Sequence, residues 1–312
     1  MLTKGKNDSK TVNAWVTFDW ANSAFALVIT TAIFPVYYLQ STNEVIRILG
    51  MDISNSTLYA YAISTTYLLL ALFSPLLSGM ADYSGSKKKY LKRFTYLGAI
   101  ACLMLFFFTG VSATNTLAQN NFQTALGTLG FMFSMLGFAG GLVFYNAYLP
   151  EIVTEDRYDS VSAKGFAYGF LGSVILLIIN LIMIQKPTWF GLPDEGTLVV
   201  RLSFVIVGLW WLGFAQIPFR LLPDDDTVVP VKVNFLKKGL QQLQGVWYEI
   251  KEQANTRIFL LSFFFFNAGV QAMLYLAGTF AEKELSFEAS ELILLIILLQ
   301  FLAIVGAYLF AK

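Results

Sequence analysis

Residues 165–185 read GFAYGFLGSVILLIINLIMIQ, a run of 21 residues without one charged side chain. A helix of about 20 apolar residues is long enough to cross the hydrocarbon core of a bilayer. Other stretches along the chain share this length and apolar character. We therefore predict eight membrane-spanning segments, at roughly residues 15–39, 57–80, 94–112, 123–149, 165–185, 199–219, 258–280 and 290–311.

The composition also indicates that most of the chain lies in a lipid bilayer. The 312 residues are 56% apolar and only 13% charged, about half of the roughly 25% charge that soluble domains carry. The sequence therefore predicts an all-α polytopic membrane protein, because spanning helices satisfy their own backbone in lipid. A formal net charge of +1 gives no reason to expect a nucleic-acid partner.

Several kinds of chemistry are excluded by what the chain lacks. There is no His, so His-based metal sites, Ser-His pairs and imidazole proton relays are ruled out. The single Cys, Cys102, cannot form an intrachain disulfide. No Gly-x-x-x-x-Gly-Lys-Ser/Thr phosphate loop occurs. We expect neither an enzyme nor a cofactor.

The distribution of Lys and Arg predicts the orientation. If the N-terminus is cytoplasmic, 17 of the 21 basic residues fall in cytoplasmic segments, as the positive-inside rule requires. Both ends of the chain are then cytoplasmic. The lipid bilayer is the first expected partner.

A long connector divides the spans into two groups. Residues 220–257 open with a turn at Pro223 and then show a helical apolar stripe, made of Leu236, Leu240, Leu243, Trp247 and Ile250. This stripe predicts an amphipathic helix on the inner leaflet or against the bundle ends, or else a plain connector. We divide the chain into a six-helix bundle (1–219), this cytoplasmic linker (220–257) and the start of a second bundle (258–312), which suggests a fragment of a two-bundle transporter.

The turn after the second span carries charged residues in a suggestive order. Residues 78–89 read SGMADYSGSKKK. Asp82 could pair with Lys87 or Lys88 across a turn for which Gly85 supplies the backbone freedom, and such a latch would be made in one conformation and broken in another. The alternative is a positive-inside anchor with a charge-neutral turn.

This turn resembles the signature that follows the second span in the major facilitator superfamily, although Ser78, Tyr83 and Ser86 depart from it. Residues 18–25, FDWANSAF, resemble the vacuole-effluxer branch, as do 143–152, VFYNAYLPEI, and 161–169, VSAKGFAYG. The resemblance implies secondary active transport of a small solute. Because the branch includes a fungal vacuolar exporter of neutral amino acids, it favours export of such solutes. The membrane would be the plasma membrane in a bacterium and the vacuolar membrane in a fungus.

Asp19 is the only carboxylate inside the first predicted span. At about 100° per residue it shares one side of the helix with Asn22, Ser23, Ala26 and Thr30. An ionisable group in a span is costly and should face protein or water, so Asp19 is the candidate for proton coupling. The alternative is a structural charge near the interface, hydrogen-bonded to Asn22 or Ser23.

Further candidates follow from the resemblance and from spacing. In the superfamily the first, fourth, seventh and tenth spans line the cavity, which places five polar residues near one chamber: Asn22, Tyr145, Asn146, Asn267 and Gln271. They could instead bond helix to helix, and Tyr145 and Asn146 could shape an inner gate. Glu151 with Arg157 or Lys164 is a candidate for a second cytoplasmic latch.

Two alternatives stay open at this point. The glycine pairs Gly137/Gly141 and Gly165/Gly169 fit either a sliding contact or static close packing of helices. A receptor or assembly factor that does not transport would need neither a coupled carboxylate nor a latch, and is the alternative to a transporter.

Overall fold

The computed structural model describes residues 5–48, 50–84, 86–224 and 235–287, and beyond these residues 295, 298–303, 305, 306 and 309. The described chain is almost entirely helical, and seven of its helices are long and apolar enough to cross a membrane. This confirms the all-α polytopic fold class. The predicted eighth span, 290–311, lies largely outside the described residues.

The first span is one continuous helix of three parts. These are α1 (Ser9–Ala24), a π-helical segment (Phe25–Ile33) and α2 (Phe34–Gln40). Asp8 caps α1 by accepting a hydrogen bond from the Thr11 backbone N–H at 3.0 Å, which satisfies one free donor of the first turn. A π-helical stretch is rare and is frequently found at functional sites. The apolar sequence of this stretch gave no sign of it.

The remaining elements follow in chain order. A hairpin of β1 (Val45–Ile48) and β2 (Met51–Ser54) joins the first two spans; we had not predicted it. The helices after it are α3 (Asn55–Ser84), α4 (Lys87–Met104), α5 (Leu117–Ile152), α6 (Tyr158–Gln185), α7 (Leu198–Leu221), α8 (Phe235–Glu252) and α9 (Ala254–Lys283).

The third span begins and ends earlier in the structure than we predicted. α4 begins at Lys87 rather than near residue 94, because the helix continues past the apolar stretch. It ends in a 3-10 turn at Phe107 rather than near residue 112. Gly110 has a φ of 86°, and the Val111 backbone N–H donates to the Ser41 carbonyl at 2.9 Å. This chain reversal stops the third span early.

The first span lies at the centre of the bundle. α1 packs against α6 and α7, while α4 packs against α5 and α7. Around α2 the core is aromatic: the Phe34 ring stacks on Phe131 with centroids 4.3 Å apart, and Tyr38 donates to or accepts from the Thr128 hydroxyl at 2.7 Å. The burial of α1 on several sides fixes the surroundings of Asp19.

The linker contains α8, in the region where we predicted an amphipathic helix. This helix contacts α3. Val246, Trp247 and Tyr248 are exposed along it. α9 lies beside the π-helical segment and α2.

Candidate functional site

Asp19 is buried between three helices. Its residue is only 5% exposed, although it lies on the third turn of α1. The Ser23 hydroxyl, one turn further on, donates a hydrogen bond to Asp19 Oδ1 at 3.0 Å. None of the ion pairs between described residues involves Asp19. The site is therefore a buried carboxylate with a hydroxyl partner and, within the described part of the chain, no counter-cation.

Tyr145 of α5 forms one wall of this site. Its ring lies between Trp15, stacked with centroids 4.3 Å apart, and Phe18, with centroids 5.0 Å apart. The Trp15 indole N–H donates to the Tyr145 carbonyl at 2.9 Å, which fixes α1 to α5. The Tyr145 hydroxyl is buried beside Asp19 and makes no hydrogen bond of ordinary geometry with any described residue.

The glycines of α6 form the opposite wall. A Cβ placed on Gly165 would lie 3.2 Å from Asp19 Oδ2, and one on Gly169 would lie 3.3 Å from Asp19 Cγ. Helix α6 can therefore approach α1 this closely only because both positions lack a side chain. Sequence reasoning noticed these glycines by their spacing, but the spacing could not show what they face.

The five predicted cavity residues differ in burial. Asn22 is fully buried within the first bundle, and in the described part of the chain neither atom of its amide has a hydrogen-bond partner. Tyr145 is buried as well, 3% exposed. Asn146, its neighbour, is exposed because it lies about 100° further round the helix. On α9, Asn267 is exposed and Gln271 is half-buried.

Among the charges that we predicted to be cytoplasmic, the described ion pairs differ from the second predicted latch. Lys87 forms an ion pair with Glu151 at the end of α5, so that one residue of each predicted latch takes part in a single contact. Lys88, 8% exposed, donates to the Leu222 carbonyl at 2.7 Å and lies 3.0 Å from Asp224. The Asp82 side chain and Gly85 lie outside the described residues.

The other predicted members of the second latch lie elsewhere. Lys164 donates to the Asn13 side chain on α1 at 2.9 Å, and Arg157 is exposed. Our prediction that Glu151 pairs with one of them differs from the structure. The reason is that the α3–α4 turn reaches the end of α5 in space, which sequence distance conceals.

A contact that sequence reasoning missed joins the N-terminus to the end of α5. Asn7 has a positive φ of 70°, and its side chain donates to the Thr154 hydroxyl at 2.9 Å while accepting from the Thr154 backbone N–H at 3.2 Å. Lys6 donates to the Pro150 carbonyl at 2.8 Å. The Asn7 backbone N–H also donates to the Ile152 carbonyl at 2.8 Å, so Lys6 and Asn7 each satisfy a free carbonyl at the C-terminus of α5.

Long apolar helices packed around a first span with a buried carboxylate define a multi-pass membrane protein. Comparisons with known proteins agree. The family model described as "Vacuole effluxer Atg22 like" matches residues 7–159 and 154–312. The chain belongs to this family. No solved structure matches the chain.

Individual relatives are named as transporters or as autophagy proteins. The "Uncharacterized MFS-type transporter YxiO" of Bacillus subtilis is 30% identical over 98% of this chain and 68% of its own length. "Autophagy-related protein 22-2" of Aspergillus fumigatus is 22% identical over 90% of this chain and 56% of its own length. "Autophagy-related protein 22" of Vanderwaltozyma polyspora is 24% identical over 83% and 53%. The chain thus spans two thirds of the bacterial relative and little more than half of the fungal ones.

Proposed function

We propose that this chain is part of a secondary active transporter that exports a small solute, of the neutral amino-acid class, by alternating access, with protons as the coupling ion at Asp19. The family name denotes an effluxer, and one relative is named an MFS-type transporter. In such transporters the solute binds between two bundles that rock about it. The buried Asp19 is the observation that carries the coupling.

Protons are the proposed coupling ion because burying a charged group costs free energy. A carboxylate without a counter-cation is expensive to bury inside a membrane-spanning bundle. Binding a proton removes the charge and therefore that cost. A carboxyl group that alternates between a buried and an accessible state would take up and release a proton with each cycle. Among the described residues of the first span, Asp19 is the one acid placed to do so.

The accessible polar residues supply the candidate solute contacts. Asn146 and Asn267 are exposed, and Gln271 is half-buried. Amide side chains both donate and accept hydrogen bonds, as the zwitterionic head of an amino acid requires. A cytoplasmic N-terminus is supported by the basic residues Lys6, Lys87 and Lys88 gathered at one end of the bundle.

The test uses the full-length protein in proteoliposomes. Counterflow of radiolabelled neutral amino acids into vesicles preloaded with unlabelled solute measures transport without an ion gradient, and an imposed pH gradient measures coupled net transport. We expect Asp19→Asn to keep counterflow and to lose accumulation driven by the pH gradient. Asp52→Asn is the matched control, because Asp52 lies in the exposed hairpin, paired with Arg47 at 3.6 Å.

Two results would contradict the proposal in different ways. Gradient-driven accumulation that survives Asp19→Asn removes the coupling role. The absence of counterflow for every amino acid tested, in protein that is folded, favours a receptor or assembly factor.

A further inference from the structure

The face of α6 that covers Asp19 is made of glycine. A Cβ built on Gly165 would lie 3.0 Å from the Trp15 ring and 3.1 Å from the Tyr145 hydroxyl oxygen, as well as 3.2 Å from Asp19 Oδ2. Contacts this short are tighter than nine in ten real Cβ contacts. One added methyl group would therefore push against three of the groups that enclose the carboxylate.

The same face continues along the helix. At Gly169 a Cβ would lie 2.7 Å from Ser23 Oγ, and at Gly172 it would lie 2.8 Å from Cδ2 of the Trp20 ring. Ser23, the hydroxyl that bonds Asp19, is itself half-buried. Displacement of α6 by the width of a methyl group would consequently open the Asp19 carboxylate along Ser23.

A second observation points to the same position. The Tyr145 hydroxyl is buried beside Asp19, its contact with that carboxyl falls short of ordinary hydrogen-bond geometry, and it faces the point where the Gly165 side chain would be. A buried hydroxyl without a well-formed hydrogen bond is costly. Its position lets it bond Asp19, or a polar group entering between α1 and α6, after a small movement of either helix.

We propose that α6 is a movable cover over Asp19, which closes because Gly165 and Gly169 lack side chains. The proposal rests on the proposed coupling role of Asp19. A flat glycine face allows one helix to slide or lift along another, since no side chains interlock across it. Opening this cover gives Asp19 its contact with water, and closing it seals the group again.

The test measures the accessibility of the site under α6 directly and needs no transport assay. Cys102 is the only cysteine, so Cys102→Ser gives a cysteine-free background in which the hydroxyl can still donate to the Phe204 carbonyl. Ser23→Cys then reports access to the site through its rate of reaction with N-ethylmaleimide. We expect Gly165→Ala in this background to raise that rate about tenfold or more, because overpacking disfavours closure.

Gly213→Ala is the matched control, because a Cβ there meets nothing within 4 Å. Equal labelling rates in the Gly165→Ala and Gly213→Ala backgrounds would overturn the proposal. This outcome is independent of transport, so it is distinguishable from a failure of Asp19→Asn to abolish coupling.

If Gly165→Ala does not fold, a disulfide that holds α6 against α1 tests the proposal instead. The Cβ position on Gly169 lies 3.2 Å from the Ser23 Cβ, slightly less than the separation of about 3.5–4.5 Å found in disulfides, so a small shift of α6 brings the two positions into bonding range. In Ser23→Cys/Gly169→Cys, oxidation should stop counterflow and reduction should restore it, while each single variant is insensitive to oxidation. Undiminished counterflow in the cross-linked protein would show that α6 does not need to leave α1.

Discussion

The contact between α4 and α5 offers a sharp test of packing in this bundle. Gly137 of α5 lies against Gly98 of α4, and a Cβ on Gly137 would overlap the Gly98 main chain and lie 2.6 Å from the Phe94 carbonyl oxygen. Ordinary contacts of a Cβ fall at 3.4–4 Å. Gly137→Ala therefore forces the two helices apart by roughly 1 Å, since main-chain atoms cannot rotate away as a side chain can.

The expected loss of stability follows from two opposing effects. Forcing a methyl group into a packed contact costs about 1–3 kcal/mol, and the rigid backbone opposite puts this case at the upper end. Alanine gains about 1 kcal/mol over glycine within a helix. The net destabilisation is about 2 kcal/mol, which corresponds to a fall of roughly 4–8 °C in unfolding temperature.

Cys102 provides the measurement. Its thiol is fully buried between α4 and α7, so a thiol-reactive fluorescent dye reports its exposure as the detergent-solubilised protein is heated. Gly141→Ala is the control on the same helix, because a Cβ there would lie 3.9 Å from Phe18 and 4.0 Å from Phe94, an ordinary contact. If the two variants unfold within a degree of each other, the backbone-contact reasoning is refuted.

Two further predictions concern buried polar contacts. Tyr38→Phe removes a fully buried hydrogen bond to Thr128 and should cost about 1 kcal/mol, measured by the same dye, whereas Tyr61→Phe on an exposed position should cost nothing measurable. Lys88→Met removes the ammonium group that holds the Leu222 carbonyl. We expect faster cleavage by added protease just after α7, where the linker begins, and an unchanged cleavage rate would contradict this role of Lys88.

Features set by residues close together in the sequence could be predicted. Contacts between residues far apart in the sequence could not. Long apolar runs such as 165–185 identify spans because each residue adds to one local signal. The partner of Glu151 could not be predicted, since Lys87 lies 64 residues away along the chain. The π-helical segment was missed because an apolar run has the same composition in either helix type. Asn146 and Tyr145 were grouped together, although adjacent helical positions face different surroundings.

The two glycine pairs show why spacing alone could not separate static packing from a moving contact. Gly137 faces the main chain of α4, and the nearest atoms there belong to the backbone of Gly98 and Phe94 rather than to an ionisable side chain. Gly165 and Gly169 face a carboxylate, a hydroxyl and an aromatic ring. Separation at the first contact exposes helix backbone and no ionisable group among these nearest atoms. Separation at the second gives a buried acid access to water. For that reason we expect substitutions at Gly137 to change stability and substitutions at Gly165 to change access to Asp19.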